Sequence, residues 1–113
     1  MREFEVKIRA TKLENLAGIF STSDPFAVVS LNVENLDEKI ELGETEIIKN
    51  SLSPEWVTRF KFNFDETKVT SLVVTIYDKK RSDKAIMATT FFEVSTILAQ
   101  GGVMEKRCRK KGR

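Results

Sequence analysis

Residues 59–64 read Arg-Phe-Lys-Phe-Asn-Phe and give the clearest strand signal in the chain. Three phenylalanines alternate with three polar side chains, so one face of the segment is apolar and the other is polar. Because successive side chains of a strand point to opposite faces of its sheet, this period of two is typical of a half-buried β-strand. The stretch therefore predicts a sheet that packs on a core with one face and meets water with the other.

Other segments repeat this alternation or are rich in β-forming residues; they are residues 4–8, 26–33, 72–77 and 85–92. Only residues 92–100 have helical spacing, and they stop at Gly101 and Gly102. Pro25 and Pro54 follow turn-forming residues and precede strands. Many short strands with one helical segment predict an antiparallel β-sandwich with one short helix.

The length and composition fit one folded domain. The chain has 113 residues, of which 41% are hydrophobic and 32% charged, which excludes intrinsic disorder as the default. No apolar run approaches the ~18–20 residues needed to cross a bilayer. We expect residues 1–103 to form the sandwich and residues 104–113 to form a basic C-terminal segment, either a seventh strand or a tail.

The chain contains no histidine and one cysteine, Cys108, which excludes most catalytic chemistry. Neither a Ser-His-Asp nor a Cys-His arrangement is possible, and a zinc site is not expected. The sequence therefore predicts no enzyme, no small-molecule substrate and no required cofactor. A single cysteine and a charged N-terminus predict a reducing, cytoplasmic location. Three interpretations of Cys108 are open: its thiol has a lowered pKa, it is palmitoylated, or it has no role.

The net charge of +2 hides two basic clusters. Residues 104–113 hold six bases and one acid, which leaves 13 bases and 16 acids, a net charge of −3, for residues 1–103. Within that part, residues 79–84 hold four bases and one acid, a net charge of +3. Two local clusters on a nearly neutral chain indicate contact with an anionic surface rather than with nucleic acid.

Three ordered stretches resemble the C2 domain family, and most closely the first such domain of the copines; they are residues 23–29, 43–56 and 72–78. The resemblance implies an eight-stranded antiparallel sandwich, here either complete or without its last strand, whose loops at one end hold calcium and touch phospholipid. In copine-like relatives a further strand follows the segment matching residues 110–113. The end of this chain there therefore predicts an altered pairing or an open edge beside the first strand, which favours self-association or a marginal domain.

The resemblance carries over to the calcium ligands only in part. Asp24 and Asp78 match two of the family's five aspartates, and Asp83 supplies a third if its loop is shifted. Gly18, Lys80 and Lys84 occupy the other positions. Because calcium takes six to eight oxygen ligands, this degenerate site predicts weak or no calcium binding. Either the lysines neutralise Asp24 and Asp78 in place of calcium, or the site has decayed; both interpretations are open.

The same end carries candidates for lipid contact. Ile19 and Phe20 form an apolar pair that either inserts into a membrane or packs back on the sheet. Basic residues of the other loop would surround this wedge; they are Lys79, Lys80, Arg81 and Lys84. A second candidate surface is formed by Arg59 and Lys61 with Lys49, where phosphoinositide binding and simple solubility are alternatives. Trp56 is expected to pack either in the core or against a loop, as the family resemblance implies.

Three functions are therefore considered. The first is a non-catalytic peripheral-membrane module that binds anionic phospholipid with weak or no calcium dependence. The second is calcium-dependent phospholipid binding through Asp24, Asp78 and Asp83. The third is a protein-interaction module that has no membrane contact.

Overall fold

A computed structural model describes residues 2–18, 21–79 and 85–102. The strands and the helix follow one another along the chain as β1 (Arg2–Arg9), β2 (Pro25–Val33), β3 (Ile40–Glu44), β4 (Glu55–Phe64), β5 (Thr70–Asp78), β6 (Ile86–Glu93) and α1 (Val94–Ala99). All strand pairs are antiparallel. The predicted antiparallel sandwich with one short helix is confirmed, and six of its strands lie in the described part of the chain.

The strands form two sheets that face each other across the core. β1 pairs with β4, and the second sheet has the order β3-β2-β5-β6. The alternation in residues 59–64 has the predicted result: Phe60, Phe62 and Phe64 are buried, and the residues between them are exposed. The facing sheet contributes a second buried row; it consists of Ala27, Val29, Leu31, Leu72, Val74 and Ile76.

Trp56 lies fully buried in this core, which is one of its two expected placements. Its indole N–H donates to the carbonyl oxygen of Pro25 at 3.4 Å. A buried indole normally finds such a partner, because an unpaired N–H in an apolar setting is costly. The contact joins the start of β4 to the start of β2 across the two sheets.

The predicted helix boundaries were partly wrong. Phe92 and Glu93 belong to β6, where they pair with Leu72 and Ser71 of β5. The helix α1 is therefore only six residues long. Its end was predicted correctly: Gly102 donates to the carbonyl of Ile97 at 2.9 Å from a positive-φ conformation that glycine adopts without strain.

Three connections meet at one end of the sandwich. β1 and β5 end there, while β2 and β4 begin there, so the described residues of 10–24 and 45–54 lie beside Lys79 and Ala85. Backbone hydrogen bonds join the first two connections, from Ala10 to Pro54, from Leu13 to Leu52 and from Ser51 to Ser23. We call this region the loop end. In the described ranges, no helix is long and apolar enough to cross a membrane.

Candidate functional site

Asp24 and Asp78 are brought together by the pairing of β2 with β5. Pro25, the first residue of β2, lies opposite Asp78, the last residue of β5. Asp78 is fully buried, and its Oδ1 accepts a hydrogen bond from the backbone N–H of Asp24 at 2.9 Å. The two aspartates that the family resemblance selected are therefore in direct contact at the loop end, through the backbone of one and the carboxylate of the other.

Asp24 belongs to the first connection of the loop end and forms hydrogen bonds with the other two connections. Its Oδ1 accepts from the backbone N–H of Asn50 at 2.9 Å, and its carbonyl oxygen accepts from the N–H of Lys79 at 2.9 Å. Asn50 has a φ of 54°, a left-handed conformation that asparagine tolerates better than most residues. One oxygen of each aspartate is thus engaged by a backbone donor of the protein itself.

Lys79 opens the basic cluster and is exposed. The base of its loop is closed by a hydrogen bond from the N–H of Asp78 to the carbonyl of Ala85 at 3.0 Å. The remaining candidates of the loop end lie outside the described residues; they are Ile19, Phe20, Lys80, Arg81, Asp83 and Lys84. The expectations for Cys108 and for a strand or tail beyond residue 103 also fall outside that part. Across residues 2–18, 21–79 and 85–102, histidine, cysteine and acidic side chains form no group of three that could hold a metal ion.

The first connection is organised by Asn15, which the sequence analysis missed. Its Nδ2 donates to the carbonyls of Gly18 at 3.1 Å and Ser21 at 2.7 Å. Its Oδ1 accepts from the N–H groups of Ala17 at 3.2 Å and Ser23 at 3.0 Å. The contact with Ala17 is the local turn that asparagine side chains commonly make two residues on, so the residue type was a usable signal.

Arg59 and Lys61 lie on the exposed face of β4, with side-chain exposures of 61% and 66%. Glu5 of β1 lies beside both, with its carboxylate 2.8 Å from Arg59 and 4.0 Å from Lys61. The hydrogen bond from Arg59 lowers the pKa of Glu5, and the charges of Arg59 and Lys61 add to the effect. This second candidate surface therefore contains an acid between its two bases.

Glu46 is the second residue that sequence reasoning missed. Its carboxylate accepts hydrogen bonds from the Thr58 hydroxyl and from the backbone N–H of Val57, the latter at 2.7 Å. These bonds lower the pKa of Glu46 to about 2, the Thr58 hydroxyl having the largest effect. The connection that carries Asn50 is thereby anchored to β4.

Comparison of the sequence with known proteins identifies the family of this chain. The sequence model of the C2 domain family matches residues 3–108, almost the whole chain. This chain belongs to the C2 domain family. C2 domains are generally modules that bind membranes, phospholipid or calcium, and the family is generally non-catalytic.

A copine is among the similar proteins. Copine-D of Dictyostelium discoideum is 28% identical over 119 aligned positions, which cover 97% of this C2 domain. They cover 22% of Copine-D, so the chain spans about a fifth of that relative's length.

Two solved structures share the fold. A C2 domain of plant extended synaptotagmin 1 has a TM-score of 0.66 and 23% identity, with 82% of this chain and 69% of that chain covered. The structure of BON1-C2B has a TM-score of 0.64 and 22% identity, with 97% of this chain and 83% of that chain covered.

Proposed function

We propose that this C2 domain is a non-catalytic peripheral-membrane module that binds anionic phospholipid with weak or no calcium dependence. The observation that supports it most directly is the engagement of Asp24 and Asp78 by backbone N–H groups within the protein. Hydrogen bonds to a carboxylate compensate its charge locally, which is part of what a bound cation does in a calcium-loaded site. The loop end is thus held together by contacts of the chain itself.

Electrostatic attraction is the first part of the proposed membrane contact. Residues 79–84 carry a net charge of +3, and the described part of that loop places Lys79 next to Asp24 at the loop end. Near an anionic leaflet each such base contributes up to ~1 kcal/mol, so the cluster supplies up to ~3 kcal/mol. We assign this role to Lys79, Lys80, Arg81 and Lys84, and call them the collar.

Apolar insertion is the second part. Ile19 and Phe20 lie in the same connection as Asn15 and Asp24, between two polar segments. Burial of one phenylalanine and one isoleucine side chain supplies a few kcal/mol, about 1.5–3 kcal/mol for each when complete. A wedge of this kind combined with a basic collar is sufficient for reversible binding to a membrane surface.

Calcium is assigned at most a minor role. Asp24 and Asp78 are the family ligand positions at which this chain has carboxylates, and lysines stand at two of the other three. Asp83 contributes a third carboxylate only if its loop is shifted. Calcium takes six to eight oxygens, and the weakest protein sites have dissociation constants of ~10⁻⁴–10⁻³ M. We expect binding in that range or weaker. The close approach of Asp24 to Asp78 favours calcium-dependent binding as the second candidate function.

The surface of Arg59 and Lys61 is a weaker candidate for lipid contact, because Glu5 already pairs with both bases. An anion that binds there competes with this carboxylate. We place the membrane contact at the cytoplasmic side, since a chain with one cysteine relies on no internal disulfide. A protein partner is an alternative occupant of the same surfaces.

Vesicle co-sedimentation separates the three functions. The chain is mixed with vesicles of neutral phosphatidylcholine, with or without phosphatidylserine, each in calcium and in chelator. We expect sedimentation with the anionic vesicles in both conditions. Sedimentation only in calcium supports the second function and contradicts the proposal. No sedimentation with any vesicle also contradicts it and favours a protein-interaction module.

A further inference from the structure

Asn15 holds the backbone on both sides of residues 19 and 20. Its Nδ2 donates to the carbonyls of Gly18 and Ser21, which are the nearest described residues before and after that pair. One side-chain amide thus fixes two carbonyls that are three residues apart in the chain. These two hydrogen bonds bracket the proposed wedge.

The Oδ1 atom of the Asn15 side chain connects the Gly18 and Ser21 carbonyls to the aspartates. It accepts from the N–H of Ser23 at 3.0 Å, and the Ser23 hydroxyl lies 3.2 Å from the same oxygen. Ser23 is fully buried, and its Oγ also accepts from the N–H of Leu16 at 2.8 Å. The next residue is Asp24, whose N–H donates to Asp78. Hydrogen bonds, together with the peptide link from Ser23 to Asp24, therefore connect the carbonyls of Gly18 and Ser21 to the buried end of β5.

We propose that Asn15 is the positioning residue of the membrane contact, and that its side chain, without a bound metal ion, holds Gly18 and Ser21 in place before and after the wedge. This inference rests on the proposed function. Position 18, where the family resemblance implies a calcium ligand, is a glycine with a φ of +102° and open space around it. The carbonyl of that glycine binds Asn15 instead. A side-chain amide thereby organises the part of the loop where the family uses a cation.

Asn15→Ala is the variant that tests the proposal, and Asn63→Ala is its matched control. Asn63 is exposed near the far end of β4, so the same truncation there leaves the loop end intact. Amide hydrogen exchange is measured in chelator for all three proteins. We expect faster exchange of the Ala17 and Ser23 amides in Asn15→Ala alone, because their acceptor is lost. Added calcium should not restore the protection.

Vesicle affinity then tests the positioning role. Asn15→Ala should bind phosphatidylserine vesicles roughly three- to tenfold more weakly, which at 1.4 kcal/mol per factor of ten is about 0.7–1.4 kcal/mol. In a Phe20→Ala background the same change should have little further effect, because the group to be positioned is gone. A merely destabilised protein would lose affinity equally in both backgrounds.

The outcomes distinguish this inference from the proposed function. Wild-type protein that fails to bind vesicles contradicts the proposed function, and amide exchange alone then decides whether Asn15 shapes the loop. Unchanged exchange at Ala17 and Ser23 in Asn15→Ala overturns the inference. Binding by wild type with no loss in Asn15→Ala, or an equal loss in the Phe20→Ala background, overturns it as well.

Discussion

At the scale of single residues, the loop end depends on side chains that bind backbone groups of other segments. Glu46 is an example, since its carboxylate receives the Thr58 hydroxyl and the Val57 N–H of β4. The two N–H groups at positions 57 and 58 lie where the pairing of β4 with β1 is irregular, between the pairs of Lys7 and Arg9. Glu46 accepts from both of them. The carboxylate of Glu46 therefore accepts hydrogen bonds from backbone N–H groups that a carbonyl of a neighbouring strand would accept in a regular sheet.

We predict that Glu46→Gln destabilises the domain by about 1–2 kcal/mol near neutral pH. Hydrogen bonds to a charged group contribute about 1.5–3 kcal/mol, and solvent weakens them at this half-exposed site. The pKa of Glu46 is lowered from 4.5 to about 2 on folding, so its contribution is complete above pH 4.5. It is lost as the pH falls from 4.5 towards 2. Urea unfolding at pH 7 and pH 3 measures the difference.

Glu44→Gln is the control for this measurement, because Glu44 is an exposed glutamate at the end of β3. It should change stability little at either pH. The difference between wild type and Glu46→Gln should shrink at pH 3. An equal difference at both values of pH would mean that the charge of Glu46 is not the source of the stability.

At the scale of elements, the sequence was sufficient for five of the six described strands. It missed β3, whose first residues it assigned to a connection, and it did not show the network between the connections. Residues 59–64 could be predicted because burial of one face imposes a local period of two. The end of β6 was missed because Phe92 and Glu93 are held by pairing with β5, which lies about 20 residues away in the chain. The family motifs identified Asp24 and Asp78 as candidate ligands. The two residues are 54 positions apart in the chain, so no local sequence pattern predicts the hydrogen bond between them.

We predict that replacing Lys79, Lys80 and Lys84 by glutamate abolishes binding to anionic vesicles. The change turns a local charge of +3 into −3, so that up to ~3 kcal/mol of attraction becomes repulsion. Wild-type binding should also weaken steeply with salt, because the Debye length falls from ~10 Å at 0.1 M to ~3 Å at 1 M. Vesicle co-sedimentation over a salt series provides both measurements.

Lys39→Glu with Lys68→Glu is the control for charge reversal. Both lysines are exposed in connections at the opposite end of the sandwich. This variant should keep most of its binding. If the collar variant instead binds as well as wild type, the loop is not the contact, and the Arg59 and Lys61 surface or the basic segment 104–113 becomes the surface to test.

Phe20→Ala is predicted to weaken binding by a different mechanism. The loss should be on the order of tenfold or more, because burial of the ring is removed. The slope of affinity against salt concentration should stay as in wild type, since no charge has changed. A parallel salt series on both proteins measures this. An unchanged affinity would support packing of Phe20 on the sheet instead of insertion.

At the scale of the whole molecule, charge is distributed unevenly between the two ends. The connections at the loop end, residues 10–24, 45–54 and 79–85, have net charges of −1, 0 and +3. At the far end, residues 34–39 and 65–69 together hold five acids and two lysines, a net charge of −3. The charges of these connections would therefore draw the loop end, rather than the far end, towards an anionic surface. These connections do not include the basic segment 104–113, which lies outside the described residues.

In the proposed function, anionic lipid and not calcium controls the membrane contact. The most direct test is the dissociation constant for phosphatidylserine-containing vesicles, measured at one salt concentration in chelator and in about 1 mM free calcium, at the upper end of the range for weak protein sites. We predict that the two constants agree within about twofold, less than 0.5 kcal/mol. Binding that is tenfold or more tighter in calcium would contradict it.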